Sequence, residues 1–195
     1  LMDKGYSATY LRTLRHQLSA IFNHAVAHYG LSENPVSKAR PIGSKQAVEM
    51  QGWTKEEYKR FSEAIMDKPR SFMAFEVLYW CGLRRGELLA LTADDVDFDA
   101  GEIVVSKSLQ RIDGSDIVTP ASIRRVAMPP FLKEELEDYI LCEGIRRNER
   151  LFPFTQYLLA HEMQRGCAAS GVKRIRIHDL RHSHVSLLID IGFDV

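Results

Sequence analysis

The stretch Cys81-Gly82-Leu83-Arg84-Arg85-Gly86-Glu87-Leu88-Leu89-Ala90-Leu91 follows a strongly apolar helical pattern over Ser71 to Trp80, and its reading decides the fold. Gly82 breaks that helix, so the backbone turns here. Arg84 then falls at the start of a short second helix that runs through Leu91. Glu87 is three residues on, one turn away on the same face. A carboxylate in that place can hold an arginine beside the turn and aim it into a cleft. The planar guanidinium fork suits the paired oxygens of a phosphate. By itself the stretch is equally an ordinary helix junction with a surface ion pair.

Upstream, Ser7 can cap a long helix to about His28, with Leu11, Leu14, Leu18, Ile21, Phe22 and Ala25 as one apolar stripe. Arg12 and Arg15 lie largely off the stripe. Asn34-Pro35 ends the element, and the polar, aperiodic stretch from Val36 to Gln51 reads as an interdomain linker. One helix cannot bury its own stripe, so this part reads as the remnant of a helical domain. Thr54 and Glu57 form a capping box that opens the next helix. Downstream, Asp97 to Gly101 reads as a turn, and residues 102–107 and 117–126 read as strands of a small antiparallel sheet. Pro129-Pro130 and Thr155 each open a helix, and Gly171 stops the second. The predicted class is mainly α with a small antiparallel sheet (α+β), divided into residues 1–46 and 47–195.

Composition narrows the function. Formal net charge is zero over 195 residues, which argues against an indiscriminate nucleic-acid binder and moves attention to local charge. Cys81, Cys142 and Cys167 are odd in number and far apart, with no CxxC pair, which fits a reduced cytoplasmic compartment. No apolar run is long enough to span a bilayer, so no membrane partner is expected.

Late in the chain lies Ile177-His178-Asp179-Leu180-Arg181-His182-Ser183-His184, preceded by Lys173, Arg174 and Arg176. On a helix His178 and Arg181 share a face and offer one anion a proton donor and a fixed cation. The bland reading is a helix start, with Asp179 favouring the N-terminal dipole. The spacing of His178 and His182 also matches the HExxH zinc motif, with Asp179 in place of Glu and a third ligand unassigned. A zinc metallohydrolase is therefore a rival reading.

The ordered set decides between these. A Gly-x-Arg-x-x-Glu-Leu box, then Ser122-Ile-Arg124-Arg125-Val126 on a small sheet, then His-x-x-Arg-His resembles the tyrosine recombinases of the phage integrase family. The long N-terminal helix ending in Glu-Asn-Pro looks like the end of that family's helical core-binding domain. The resemblance covers nearly the whole chain. It implies a catalytic domain preceded by part of a DNA-binding domain. The implied function is site-specific integration or excision of a mobile element, by breaking and rejoining DNA through a 3′-phosphotyrosyl intermediate. No metal or other cofactor is implied. By motif position Arg84 and Arg181 are the catalytic arginines and His178 the catalytic histidine, with Glu87 and His182 in support. Arg12, Arg15, Arg111, Arg124, Arg125, Lys173, Arg174 and Arg176 are candidate contacts to DNA phosphates.

Two departures stand out. The family's nucleophilic tyrosine lies beyond the His box, and none of the seven tyrosines here does. The chain is therefore expected to be a piece without its nucleophile, inactive in cleavage and monomeric alone, although the family works as a tetramer on double-stranded attachment sites. The family's catalytic lysine sits in the turn of the small sheet, where Thr119-Pro120 here runs into Ala121-Ser122. Lys107 on the preceding strand is a weak substitute. A non-catalytic DNA-binding relative is the second reading. A nucleoid-associated place in a prokaryotic cell follows from the resemblance.

Overall fold

The computed structural model describes residues 5–40, 52–112 and 114–193. The chain divides into two compact units, Leu1–Glu49 and Met50–Val195. Most of the expected linker, residues 41–51, lies outside the described residues, as does the expected boundary between 46 and 47.

The first unit holds helix α1 (Ala8–His28) and the short α2 (Pro35–Lys38). Ser7 accepts a hydrogen bond from the Tyr10 N–H at 3.2 Å and starts α1. Asn34-Pro35 does more than end α1. Asn34 accepts from the Val36 N–H at 2.9 Å and Pro35 occupies the first turn, so the pair opens α2. Arg15 donates to the carbonyl oxygens of Val36 and Ala39, at 3.3 and 3.0 Å, and ties α2 to α1. Leu11 is buried, whereas Leu18 and Ile21 on the same stripe are 50% and 63% exposed, as expected of a helix without enough of its own unit to cover it.

In the second unit, α3 (Lys55–Glu63) begins with the Thr54/Glu57 capping box. Helix α4 (Pro69–Trp80) is buried nearly all round and forms the centre. Packed around it are α3, α5 (Arg85–Ala90), α6 (Pro130–Glu143) and α8 (Asp179–Asp190), with α7 (Gln156–Ser170) against α3. Phe61, Phe75, Leu78, Leu88, Leu132 and Leu180 are fully buried in one cluster. Each contributes roughly 1.5–3 kcal/mol through removal from water. Helix α7 approaches α3 so closely at Gly166 that a Cβ there would collide with the Phe61 ring.

The sheet has order β1-β2-β3, all antiparallel, from β1 (Val96–Asp97), β2 (Glu102–Ile112) and β3 (Ser115–Ala127). Both long strands extend past the limits expected from sequence. Val105 pairs with Arg124 and Lys107 with Pro120, so Ala121–Ile123 bulges opposite Ser106. Arg124 and Arg125 follow the bulge on opposite faces of the strand.

Candidate active site

The geometry begins at the end of α4. Cys81 closes the helix and Gly82 takes a left-handed φ of +58°. A side chain there would be strained, and a Cβ would run into the imidazole of His184. The chain then re-enters helix, with Arg84 in the extended conformation at the N-cap of α5. Glu87 reaches back one turn, and its Oε2 accepts from the Arg84 backbone N–H at 2.8 Å. Its Oε1 accepts from Arg84 Nη1 at 3.0 Å. From β3, Arg124 donates through Nη1 and Nη2 to the two Glu87 oxygens, at 2.9 and 2.6 Å. Glu87 is 3% exposed. Burial pushes its carboxyl up, but Arg124 together with the backbone and side chain of Arg84 outweighs that, leaving it at about 2.

The His box is built at the start of α8. Asp179 accepts from the Arg176 backbone N–H at 3.0 Å and from the Arg176 guanidinium at 2.7 Å. These contacts hold its carboxyl below the usual range, with the Arg176 side chain the larger cause, against the opposing effect of burial. Arg181, two residues further, donates through Nη1 to the Gly82 carbonyl oxygen at 2.5 Å. The buried Ser183 hydroxyl accepts from the Trp53 N–H at 2.8 Å and donates to the Asp179 carbonyl at 3.0 Å. His184 covers Gly82. Box two is thus docked directly on the turn of box one.

Arg84, Arg124 and Arg181 converge around this turn. Burial depresses the Arg181 guanidinium, and the positive charges of Arg84 and Arg124 depress it further, partly offset by Glu87. Like charges gathered in this way favour an anion between them. Arg84 and His178 also line one open hollow with Arg85, Arg174 and Arg176, and that lining holds no carboxylate among the described residues. The His178 and His182 rings stand edge to face, with centroids 5.4 Å apart.

The other sequence-derived candidates lie as follows. Lys107 is ion-paired with Asp95 at 2.7 Å and donates to Thr92 Oγ1 at 3.0 Å. Arg124 is turned inward onto Glu87, not outward as a phosphate contact. Arg125, on the other face of β3, pairs with Glu102 and Asp97. Lys173 lies 3.7 Å from Glu57. Arg111 lines a neighbouring hollow with Arg85 and Asp116. Arg15 is bound to α2 carbonyls and Arg12 lies on the same helix of the first unit, so neither is placed relative to this site. Tyr139 donates to the Leu151 carbonyl from a buried position. Asp179, which stands where a zinc hydrolase carries its glutamate, is occupied by Arg176. No three His, Cys, Asp or Glu side chains group as metal ligands among the described residues.

Sequence reasoning missed the inward role of Arg124. The available signal was the alternation of Arg124 and Arg125 on one strand, which must send one of them toward the helices.

Comparison with known proteins shows the family and the fold. The model of the phage integrase family matches residues 52–195. The chain is 35% identical over 216 residues to the ICEBs1 integrase of Bacillus subtilis, covering 100% of this chain and 58% of that relative. It is 26% identical over 228 residues to a XerC-like tyrosine recombinase of Caldanaerobacter subterraneus, covering 98% of this chain and 58% of the relative. The chain therefore spans little more than half the length of these relatives. Among solved structures, the Tn1549 transposon integrase in complex with a circular intermediate DNA superimposes with a TM-score of 0.81 at 18% identity, over 99% of this chain and 70% of that one. With its ordered boxes docked on each other around Gly82 and Glu87, the chain belongs to the phage integrase family of tyrosine recombinases.

Proposed function

We propose that the chain supplies the phosphate-binding part of a site-specific DNA recombinase. The partner is double-stranded DNA at an attachment site, engaged by the full-length protein as a tetramer. A tyrosine from outside residues 1–195 attacks the scissile phosphorus. A phosphorus–oxygen bond forms to the tyrosine, the bond to the 5′ oxygen breaks, and that oxygen leaves as a hydroxyl. The reverse attack by a 5′-hydroxyl of the partner strand reseals the backbone, so no nucleotide cofactor is consumed. Arg84 and Arg181 stabilise the charge that grows on the non-bridging oxygens, and His178 hydrogen-bonds the phosphate and handles a proton. The observation that carries this reading is the convergence of Arg84 and Arg181 on one turn, 99 residues of sequence separating Arg181 from its Gly82 anchor.

The test uses the full-length protein on nicked duplex carrying its attachment site. Arg84→Lys, Arg181→Lys and His178→Ala are each expected to slow formation of the phosphotyrosyl adduct, on the order of 100-fold or more for the arginines, with DNA affinity little changed. Near-normal cleavage by either arginine variant overturns the assignment. A second reading, a DNA-binding relative without cleavage, predicts DNA binding but no adduct from the full-length wild type.

A further inference from the structure

We infer that Arg124 is a positioning residue of this site: by occupying both oxygens of Glu87 it leaves Arg84 and Arg181 free to take a phosphate. The inference rests on the proposed function and concerns a residue that touches no substrate in it.

The argument is one of charge and donor count. Glu87 is a buried carboxylate paired with cations from two elements, Arg84 at the N-cap of α5 and Arg124 on β3, while Arg181 reaches the same turn from α8. A carboxylate beside two phosphate-binding arginines competes with phosphate for them, because both anions fit the same fork. Arg124 removes that competition by making the two-point pair itself, at 2.9 and 2.6 Å. Arg84 then gives Glu87 only one side-chain contact, from Nη1. Arg181 spends one Nη1 contact on the Gly82 carbonyl. Each guanidinium is fixed at one corner, with further N–H donors available. With Arg124 the group of Arg84, Arg124, Arg181 and Glu87 carries a net charge of two positive. Without it, one positive charge would remain, and Glu87 would be free to take a second donor from Arg84. The bulge at Ala121–Ile123 sits immediately before Arg124 and sets the face on which it emerges.

The experiment measures single-turnover cleavage of saturating nicked duplex by the full-length protein, from pH 5 to pH 8, alongside DNA affinity and thermal unfolding. Arg124→Gln is expected to slow cleavage on the order of 100-fold at neutral pH, with affinity far less affected. Its deficit against wild type is also expected to narrow below neutrality. Burial then acts on Glu87 without its main counter-charge, and protonation of Glu87 ends its competition with phosphate for Arg84. Arg124→Lys keeps a charge without the fork, so it should lose less rate and shift that recovery to lower pH. A merely structural role would lower the rate equally at every pH, in step with the unfolding temperature, and that result overturns the inference. Should Arg124→Gln fail to fold, Arg124→Lys decides: a wild-type rate and pH profile sink the proposal. Arg84→Lys and Arg181→Lys in the same assay separate the two ideas. Their loss of cleavage with Arg124→Gln intact removes the inference alone, whereas their full activity removes the recombinase site itself.

Discussion

The guanidinium of Arg181 donates to the carbonyl oxygen of Gly82 at 2.5 Å, joining two sequence motifs through the backbone of a turn. The left-handed conformation of Gly82 brings that carbonyl within reach of α8, and the missing side chain admits His184 beside it. One residue therefore sets the spacing of both boxes.

Gly82→Ala should consequently damage both stability and the site. The left-handed φ alone costs about 1–2 kcal/mol for a residue with a Cβ, and the His184 ring must also move. Urea unfolding should show a lower midpoint with an unchanged slope. A midpoint equal to wild type would mean that the turn is not constrained as described.

Ser183→Ala should destabilise by about 1–3 kcal/mol, because it leaves the Trp53 N–H without its acceptor in the interior. The same denaturation series reads the effect. Ser183→Thr, which keeps the hydroxyl, should retain the bond but crowd Gly52, against which Ser183 already packs.

Glu76 should give stability a pH dependence of its own. It accepts from the Tyr58 hydroxyl at 2.7 Å and the Trp80 indole N–H at 2.8 Å. Burial, with some help from Glu135, lifts its carboxyl from 4.5 to about 7 despite those bonds. A raised folded-state value means that the stabilising proton is fully present below the unfolded value and is lost as pH rises through the folded one. The contribution should fall between about 4.5 and about 7, by no more than about 1.4 kcal/mol per pH unit. Glu76→Gln should flatten this part of the profile; an unchanged slope would locate the titration elsewhere.

Salt dependence of DNA binding should separate Arg174 from Arg176. Arg174 has no ion-pair partner among the described residues, whereas Arg176 is committed to Asp179 at 2.7 Å. In the full-length protein Arg174→Ala should reduce the slope of log affinity against log salt by about 0.9, the value of one released phosphate contact. Arg176→Ala should change it less. The reverse order would show that the Asp179 pair opens on binding.

The sequence determined the elements and the order of the two boxes. Helical periodicity over Ser71 to Trp80, the break at Gly82, the Thr54/Glu57 cap and the order of Arg84, Arg124 and His178 were all local or ordinal features, and such features are written directly in residue order. Strand ends were less legible: β2 and β3 run on because pairing between strands, not composition, decides where a ladder stops. What only the tertiary structure decided was the partner of each charged group. Lys107 and Arg124 look alike on paper, as cations on neighbouring strands. Folding gives Asp95 to one and Glu87 to the other, since the bulge at Ala121–Ile123 and the alternation of side chains fix which face each reaches. Convergence of Arg84 and Arg181 likewise depends on packing α8 against α4, a long-range contact that no local pattern encodes.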